Sequence, residues 1–294
     1  MIRLIASDMD GTLLDSYRQI TPENIAAIHR LQESGIEFII NTGREVQNVM
    51  EILGEAGIEC DMICTNGSCG CDKDGNILFQ HFIPKETVKQ IFSVFREFDL
   101  VPTPFSQEGR LSLLSIEELK KYTDEVMIPA MHVNHPDFVY TDKDFNDLID
   151  HAIFVDGEEG LLNSHHNVLK IISQSTNPET LIELRKELEK VPGLAVVSTV
   201  PTDIEITSVD AQKGIGLMDY ANAKGILPEE IVAIGDSEND YSMLSIPKIH
   251  SVAMANATDA IKNICVYQTR ANTKDGIAYI IKCILTDRNN FKLF

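Results

Sequence analysis

The sequence has a shortage of positive charge. Only 25 lysines and arginines stand against 45 aspartates and glutamates, which gives a formal net charge of −20. Nucleic acid and anionic membrane surfaces repel a chain of this charge. We therefore expect a protein that binds neither. A phosphorylated ligand would also be repelled at long range, so a site for one must contain local positive charge.

The sequence also lacks long hydrophobic runs and a recognisable leader. No apolar stretch approaches the length needed to cross a membrane. The apolar segment at residues 2–6 is too short for a signal peptide, and it continues directly into acidic residues. These absences predict a cytoplasmic protein.

The cysteines do not form a disulfide or zinc pattern. Four of the six cluster at Cys60, Cys64, Cys69 and Cys71, with no Cys-x-x-Cys pair among them. Zinc motifs have characteristic short spacings between paired ligands. We expect reduced thiols rather than a structural zinc site, and we interpret the adjacent His165–His166 as a surface pair.

Four short segments contain most of the chemical information. In chain order they are Asp8–Thr12, Thr42–Arg44, Lys213–Gly214 and Gly235–Asp240. All but the lysine segment follow apolar runs that predict short buried strands. Since open α/β sheets bind ligands at the carboxyl ends of their strands, these segments predict one shared site.

Asp8 and Asp10 are two carboxylates separated by one residue. In extended chain their side chains leave the backbone on the same side. Two like charges held this close need a cation or a shared proton. One of them can then act as nucleophile and metal ligand while the other transfers a proton. Gly11 would let the backbone turn sharply beside a bound anion.

A second carboxylate position completes a predicted metal site. Asp236 follows another predicted strand and, together with Asp8, could hold a hard divalent cation through oxygen ligands. Mg²⁺ fits such a site because it binds through few carboxylates and keeps several waters. The metal would orient a phosphate and offset its repulsion by the carboxylates.

The other segments supply donors for a phosphate. Thr42 and Gly43 precede a predicted helix, where backbone amides favour an anion. Lys213 offers a compact positive charge, and Asn239 offers an amide. Taken alone, Thr42 and Gly43 would suit an ordinary helix cap and turn. Lys213 alone would suit a solvated surface position. Their order along the chain and their positions at strand ends favour phosphoryl transfer.

These motifs carry a resemblance to a known family. Asp8–Leu13 and Gly235–Asp240 resemble motifs of the haloacid dehalogenase superfamily, in its Cof-type group of hydrolases with a large inserted cap. The resemblance covers nearly the whole chain in motif order and spacing. It implies a Mg²⁺-dependent phosphatase of small phosphorylated metabolites, such as sugar phosphates, that forms an aspartyl-phosphate. Ser237 is a mild departure, since the family often has Gly at that position.

The resemblance also implies a role for each motif residue. Asp8 attacks phosphorus and binds the metal. Asp10 binds the metal through its carbonyl group and acts as general acid, then as base for the hydrolytic water. Asp236 completes the metal site, and Asp240 supports it. The residues implied for phosphate binding are Met9, Thr42, Gly43, Lys213 and Asn239.

Alternating apolar strands and helices predict an α/β fold, with a Rossmann-like parallel-sheet core domain and an inserted α+β cap domain. We predict core segments at 1–83 and 211–294 and a cap at 84–210. The stretch of nearly 150 residues between Asn66 and Lys213 is long enough for a domain. Such an insertion can close over the site and select the leaving group. Arg44 and Asn66 lie near the expected cleft and are candidate substrate contacts.

Two other functions stay open at this point. A phosphotransferase or phosphomutase would pass the same phosphoryl group to a substrate hydroxyl instead of water. A catalytically silent protein would only bind a phosphorylated metabolite. Asp10 as a base for water favours hydrolysis, and the intact carboxylates disfavour silent binding. No motif identifies the substrate, and none marks an oligomer interface.

Overall fold

A computed structural model describes residues 1–134, 136 and 139–288. The chain forms two compact units: Met1–Gln80 with Ala211–Phe294 make the first, and His81–Asp210 make the second. The predicted boundary after residue 83 falls inside the second unit, because Ile83 is buried in its core and pairs with Val168.

The described residues form two sheets. The strands are β1 (Leu4–Ser7), β2 (Glu37–Asn41), β3 (Met62–Cys64), β4 (Cys69–Cys71), β5 (Ile77–Gln80), β6 (Thr103–Ser106), β7 (Gly109–Ser112), β8 (Ala152–Phe154), β9 (Lys170–Gln174), β10 (Leu194–Val197), β11 (Asp203–Ser208), β12 (Ile231–Gly235), β13 (His250–Ala253) and β14 (Tyr267–Gln268). The strand orders are β14-β13-β12-β1-β2-β3-β4-β5 in the first unit and β10-β11-β9-β6-β7-β8 in the second.

The sheet of the first unit is parallel from β14 to β3, and β4 and β5 join it in antiparallel pairing. Its central strands are short apolar runs, and every residue of β1 and β12 is buried. Successive side chains of a strand point to opposite faces of the sheet. Because all of these residues are buried, both faces of the sheet are covered, as in α/β proteins. The predicted α/β class with a parallel-sheet core is therefore confirmed.

Helices lie between many of these strands along the chain. They are α1 (Pro22–Glu33), α2 (Val46–Ala56), α3 (Lys85–Phe98), α4 (Ile116–Tyr122), α5 (Ile128–Asn134), α6 (Asp142–Asp150), α7 (Gly157–Asn163), α8 (Pro178–Leu188), α9 (Lys213–Ala223), α10 (Tyr241–Leu244), α11 (Asp259–Ile264) and α12 (Gly276–Thr286). At the start of α1, the Thr21 side chain accepts a hydrogen bond from the Asn24 amide, as its capping position predicts. None of the helices in the described ranges is long and apolar enough to cross a membrane.

The second unit has a mixed sheet with its own core. Its strands pair antiparallel except for β7 and β8. Apolar residues of α3 and α8 form one buried cluster with Ile204 and Ile206 of β11. The unit therefore has the independent core that a separate domain requires.

A polar network lies at the amino-terminal ends of two strands of the first sheet, around Glu37, which begins β2, and Asp61, which directly precedes β3. The Tyr220 hydroxyl lies 2.9 Å from Oε2 of Glu37 and 2.8 Å from Oδ2 of Asp61. Lys224 Nζ donates to the same two oxygens at 2.7 and 3.1 Å. Burial and the two acidic neighbours raise the pKa of Tyr220 above its usual range, so the hydroxyl keeps its proton. The network ties α9 to the sheet.

Replacing Tyr220 by Phe removes the hydroxyl and leaves two carboxylates sharing one ammonium. We expect Tyr220→Phe to lower the free energy of unfolding of the first unit by about 1–2 kcal/mol. Urea unfolding followed by circular dichroism measures this change. Tyr17→Phe is the matched control, because the Tyr17 side chain is 82% exposed. Equal stability of the two variants would contradict the expected role of the network.

Candidate active site

Four neighbouring strands place the motif residues at one edge of the first sheet. β12, β1, β2 and β3 are adjacent and parallel, so their carboxyl ends lie side by side. Asp8 follows β1, Thr42 follows β2, Asn66 lies just after β3 and Asp236 follows β12. The four loops therefore converge on one site, as expected at the carboxyl edge of a parallel sheet.

The segment after β1 makes a wide turn over Met9–Leu13, in which Asp10 and Gly11 have non-helical backbone angles. Within it Gly11 has a φ of +75°, and a Cβ at this residue would lie 2.4 Å from Oδ2 of Asp236. Only glycine fits there. The next residue, Thr12, donates from Oγ1 to Oδ1 of Asp236 at 2.9 Å. The turn therefore packs the Asp8–Thr12 segment directly against Asp236.

Met9 contributes to this turn mainly through its backbone. Its side chain is buried in the core, and its carbonyl accepts a hydrogen bond from the Leu14 amide at 2.9 Å. Only the backbone of Met9 is therefore available to contact a phosphate.

Lys213 is the central cation of the site. Its ammonium donates to Oδ1 of Asp8 and to Oδ1 of Asp240, both at 2.7 Å, and its side chain is fully buried. Burial opposes the charge, but the Asp240 and Asp8 carboxylates raise the pKa of Lys213 above its usual value. The lysine is therefore a fixed positive charge beside the Asp8 carboxylate.

Three carboxylates crowd around this single ammonium. Asp8, Asp236 and Asp240 each offer an oxygen, and these oxygens lie within 4.8 Å of one another. Burial, followed by the charge of Asp240, raises the pKa of Asp236 to about 7 and that of Asp8 well above its usual value. A buried surplus of negative charge with oxygen donors suits a hard divalent cation, and the donor set therefore fits Mg²⁺.

Asp240 has most of its hydrogen-bonding capacity occupied by the protein. Its Oδ2 accepts the backbone amides of Asp236 and Ser237 at 2.8 and 3.1 Å, and its Oδ1 accepts Lys213. A Cβ at Gly235 would lie 2.4 Å from Cγ of Asp240. The carboxylate therefore shapes the loop that presents Asp236.

Asp10 faces a different partner from Asp8. Arg44 donates from Nε to Oδ2 and from Nη2 to Oδ1 of Asp10, both at 2.6 Å, and from Nη1 to Oδ1 of Asn48 at 2.5 Å. Partial burial opposes ionisation, but the Arg44 hydrogen bonds and charge hold the pKa of Asp10 below its usual value. In this arrangement Asp10 is a carboxylate held by a bidentate guanidinium.

The loops after β2 and β3 are bound to each other. The Asn66 amide donates to the carbonyl of Thr42 at 3.0 Å, and the Thr65 amide donates to that of Arg44 at 2.8 Å. The Asn239 side chain donates to Oδ1 of Asn66 at 3.2 Å. These bonds bring Thr42, Asn66 and Asn239 together, and Gly43 lies in the same loop as Thr42.

Two residues in the site had no role assigned from the sequence. Asn41, the last residue of β2, is buried and donates from Nδ2 to the carbonyl of Lys213 at 2.9 Å. Thr12 holds Asp236 as described above. In the sequence, Asn41 could have been found as a polar residue at the end of an apolar strand. Thr12 could have been found because it lies inside the first motif.

Similarity to known proteins places this geometry in a family. A sequence model of the haloacid dehalogenase-like hydrolases matches residues 5–281. The chain is 30% identical over 292 residues to the phosphatase YwpJ of Bacillus subtilis, covering 97% of this chain and 100% of that protein. It is also 30% identical over 300 residues to the 5-amino-6-(5-phospho-D-ribitylamino)uracil phosphatase YwtE of the same organism, covering 97% and 99%.

A solved structure agrees with these sequence matches. A haloacid dehalogenase-like hydrolase from B. subtilis superimposes with a TM-score of 0.83 at 28% identity, covering 96% of this chain and 99% of that one. The family match spans nearly the whole chain, and the relatives are named as phosphatases. The chain belongs to the haloacid dehalogenase-like hydrolase family and is a phosphatase of that family.

Proposed function

We propose that this protein is a Mg²⁺-dependent phosphatase that hydrolyses small phosphorylated metabolites through an aspartyl-phosphate on Asp8. The observation that carries the proposal is the buried Asp8 carboxylate, paired with Lys213 and crowded by Asp236 and Asp240 at the sheet edge. A carboxylate beside a fixed cation can act as a nucleophile toward an anionic phosphate, because the cation offsets their repulsion.

Asp8 and Asp236 would hold the metal through carboxylate oxygens, together with the carbonyl group of Asp10. Asp240 would support this set by fixing the loop that carries Asp236. When bound, Mg²⁺ would orient the phosphate and offset the repulsion between the two anions. The raised pKa values of Asp8 and Asp236 support a site that suits a cation.

The phosphate would be bound by the groups that surround Asp8. Lys213 supplies charge, Thr42 and Asn239 supply side-chain donors, and Gly43 and Met9 supply backbone amides. Their convergence at one sheet edge supports this assignment. A transferring phosphoryl group needs neutralised equatorial oxygens, which these donors would provide.

Asp10 would move the protons. As Asp8 bonds to phosphorus, the bond from phosphorus to the leaving oxygen breaks and that oxygen takes a proton from Asp10. Asp10, now a carboxylate, then takes a proton from the water that attacks the aspartyl-phosphate and releases inorganic phosphate. Because Asp10 must be protonated in the first step, it must leave Arg44, which is then available to the substrate.

The second unit would act as the cap domain and select the leaving group. The named activities of the relatives support small phosphorylated substrates: one acts on 5-amino-6-(5-phospho-D-ribitylamino)uracil, and a protein of Yersinia pseudotuberculosis that is 28% identical over 89% of this chain is an HMP-PP phosphatase. Arg44 and Asn66 are the proposed contacts of the first unit with the substrate.

The proposed nucleophile is tested by Asp8→Asn. We expect release of inorganic phosphate from an aryl phosphate to fall by roughly 10⁴-fold or more, because the amide cannot attack phosphorus. Asp259→Asn, an exposed carboxylate on α11, is the matched control and should keep full activity. Activity that persists in Asp8→Asn, or that survives a chelator in the unmodified protein, would contradict the mechanism.

The proposed proton transfer is tested by Asp10→Asn. We expect turnover to fall by about 10²–10⁴-fold, the usual contribution of a general acid or base. Mg²⁺ binding, measured by calorimetry, should persist because the proposed ligand atom of Asp10 is its carbonyl oxygen. Normal hydrolysis by this variant would assign the acid–base role to another residue.

The raised pKa of Asp236 predicts a pH-dependent metal affinity. Below its pKa of about 7 the carboxyl group is protonated and must release its proton before it binds a cation. We therefore expect the Kd for Mg²⁺ to fall at least about tenfold as the pH rises from 6 to 8. Calorimetric titration at both pH values measures this. A Kd that does not change over this range would show that no protonated carboxyl competes with the metal.

A further inference from the structure

A second cluster of possible metal ligands lies in the second unit, between two of its loops. One is the turn after β6 that contains Glu108, and the other is the segment before β9 that contains His165 and His166. In the antiparallel pairing of β6 with β9, Phe105 lies opposite Lys170, and the Leu169 amide donates to the Phe105 carbonyl at 2.8 Å. Residues just after Phe105 therefore run beside residues just before Lys170.

This register brings three side chains together. Nδ1 of His166 lies 3.3 Å from Oε2 of Glu108, and the ring centroids of His165 and His166 are 4.1 Å apart. Each of the three residues offers one ligand atom, and these atoms all lie within 4.8 Å of one another. The adjacent histidines are thus more than an exposed pair, because a carboxylate from a distant part of the chain joins them.

The chemistry of the cluster differs from that of the active site. Two imidazoles and one carboxylate suit Zn²⁺, Co²⁺ and similar ions, whereas Mg²⁺ prefers oxygen ligands alone. Two ligands about 2.0–2.1 Å from a tetrahedral ion are about 3.4 Å apart. The observed 3.3 Å between the His166 and Glu108 atoms matches that spacing.

We propose that Glu108, His165 and His166 form a binding site for a divalent transition metal ion of the zinc type, with water completing its coordination. This site is separate from the carboxylate site at the edge of the first sheet. It accounts for a histidine pair and an acidic turn residue that the phosphatase mechanism does not use.

Hydrogen bonds within the protein hold both loops in place. The Glu108 amide donates to Oγ of Ser106 at 3.2 Å, and the His166 amide donates to Oγ of Ser164 at 3.2 Å. Lys85 Nζ donates to the carbonyl groups of Ser164 and, at 3.0 Å, of Leu162. Because these bonds fix the backbone on both sides, an ion would meet ligands that are already close together.

Imidazole nitrogens and carboxylate oxygens are also ligands that commonly occur together around zinc. An ion here would tie the β6–β7 turn to the segment before β9 and stabilise the second unit.

The proposal is tested with Co²⁺ and the full chain, free of any polyhistidine tag. Titration in the presence of excess Mg²⁺ keeps the carboxylate site occupied, and the visible absorption of Co²⁺ reports imidazole ligation. We expect one Mg²⁺-resistant equivalent of Co²⁺ to bind. His166→Gln and Glu108→Gln should each weaken this binding at least about tenfold, as loss of a metal ligand does. His151→Gln, an exposed histidine of the same unit, should leave it unchanged.

Thermal unfolding gives an independent measurement of the same site. Zn²⁺ added beside excess Mg²⁺ should raise the Tm of the unmodified chain and of His151→Gln, because it binds only the folded state. The rise should disappear in His165→Gln and Glu108→Gln, whose metal-free Tm shows whether they fold. Equal Co²⁺ affinity in the unmodified chain and His166→Gln, or no binding in excess Mg²⁺, would overturn the proposal.

Discussion

The active site depends on one buried ammonium. Lys213 lies between Asp8 and Asp240 with no exposure to solvent, and removing one partner of a buried ion pair costs about 3–5 kcal/mol. The pairing therefore requires that the loop after β1, the loop after β12 and the start of α9 meet at one point. Asn41 fixes the lysine from a fourth segment by binding its carbonyl group. The geometry of the site and the packing of the sheet edge are consequences of the same ion pairs.

The balance of charge around Lys213 explains why the site needs a cation. Three carboxylates share one ammonium, and the surplus raises the pKa of Asp8 and Asp236. The pKa of Asp10 is lowered instead, because Arg44 binds its carboxylate. The two carboxylates of the first motif thus have opposite pKa shifts although one residue separates them. Different surroundings are what allow neighbouring carboxylates to perform different tasks.

Much of the first unit could be predicted from the sequence, because its signals are local. Apolar runs predicted β1 and β12, Thr21 predicted the start of α1, and strand ends predicted which loops converge. The bond from Arg44 to Asp10 could not be predicted, since many carboxylates were equally available to Arg44. The second unit was harder. Its strand β6 contains Pro104, a residue type that argues against a strand, and α4 continues into a wider helical turn at Thr123–Met127. Its strands gain their stability from distant partners, which local patterns do not report.

The division of the chain between the two units has a consequence for its synthesis. Leu4 pairs with Glu37 on one side and with Ile231 on the other, so the second edge of β1 waits for a partner made roughly 230 residues later. At about 5–20 residues per second, a ribosome needs roughly 10 to 45 s to supply it. The second unit is continuous in the chain and can fold during that delay. The emerging chain thus carries one finished domain while the open edge of the other sheet is exposed to chaperones and to aggregation.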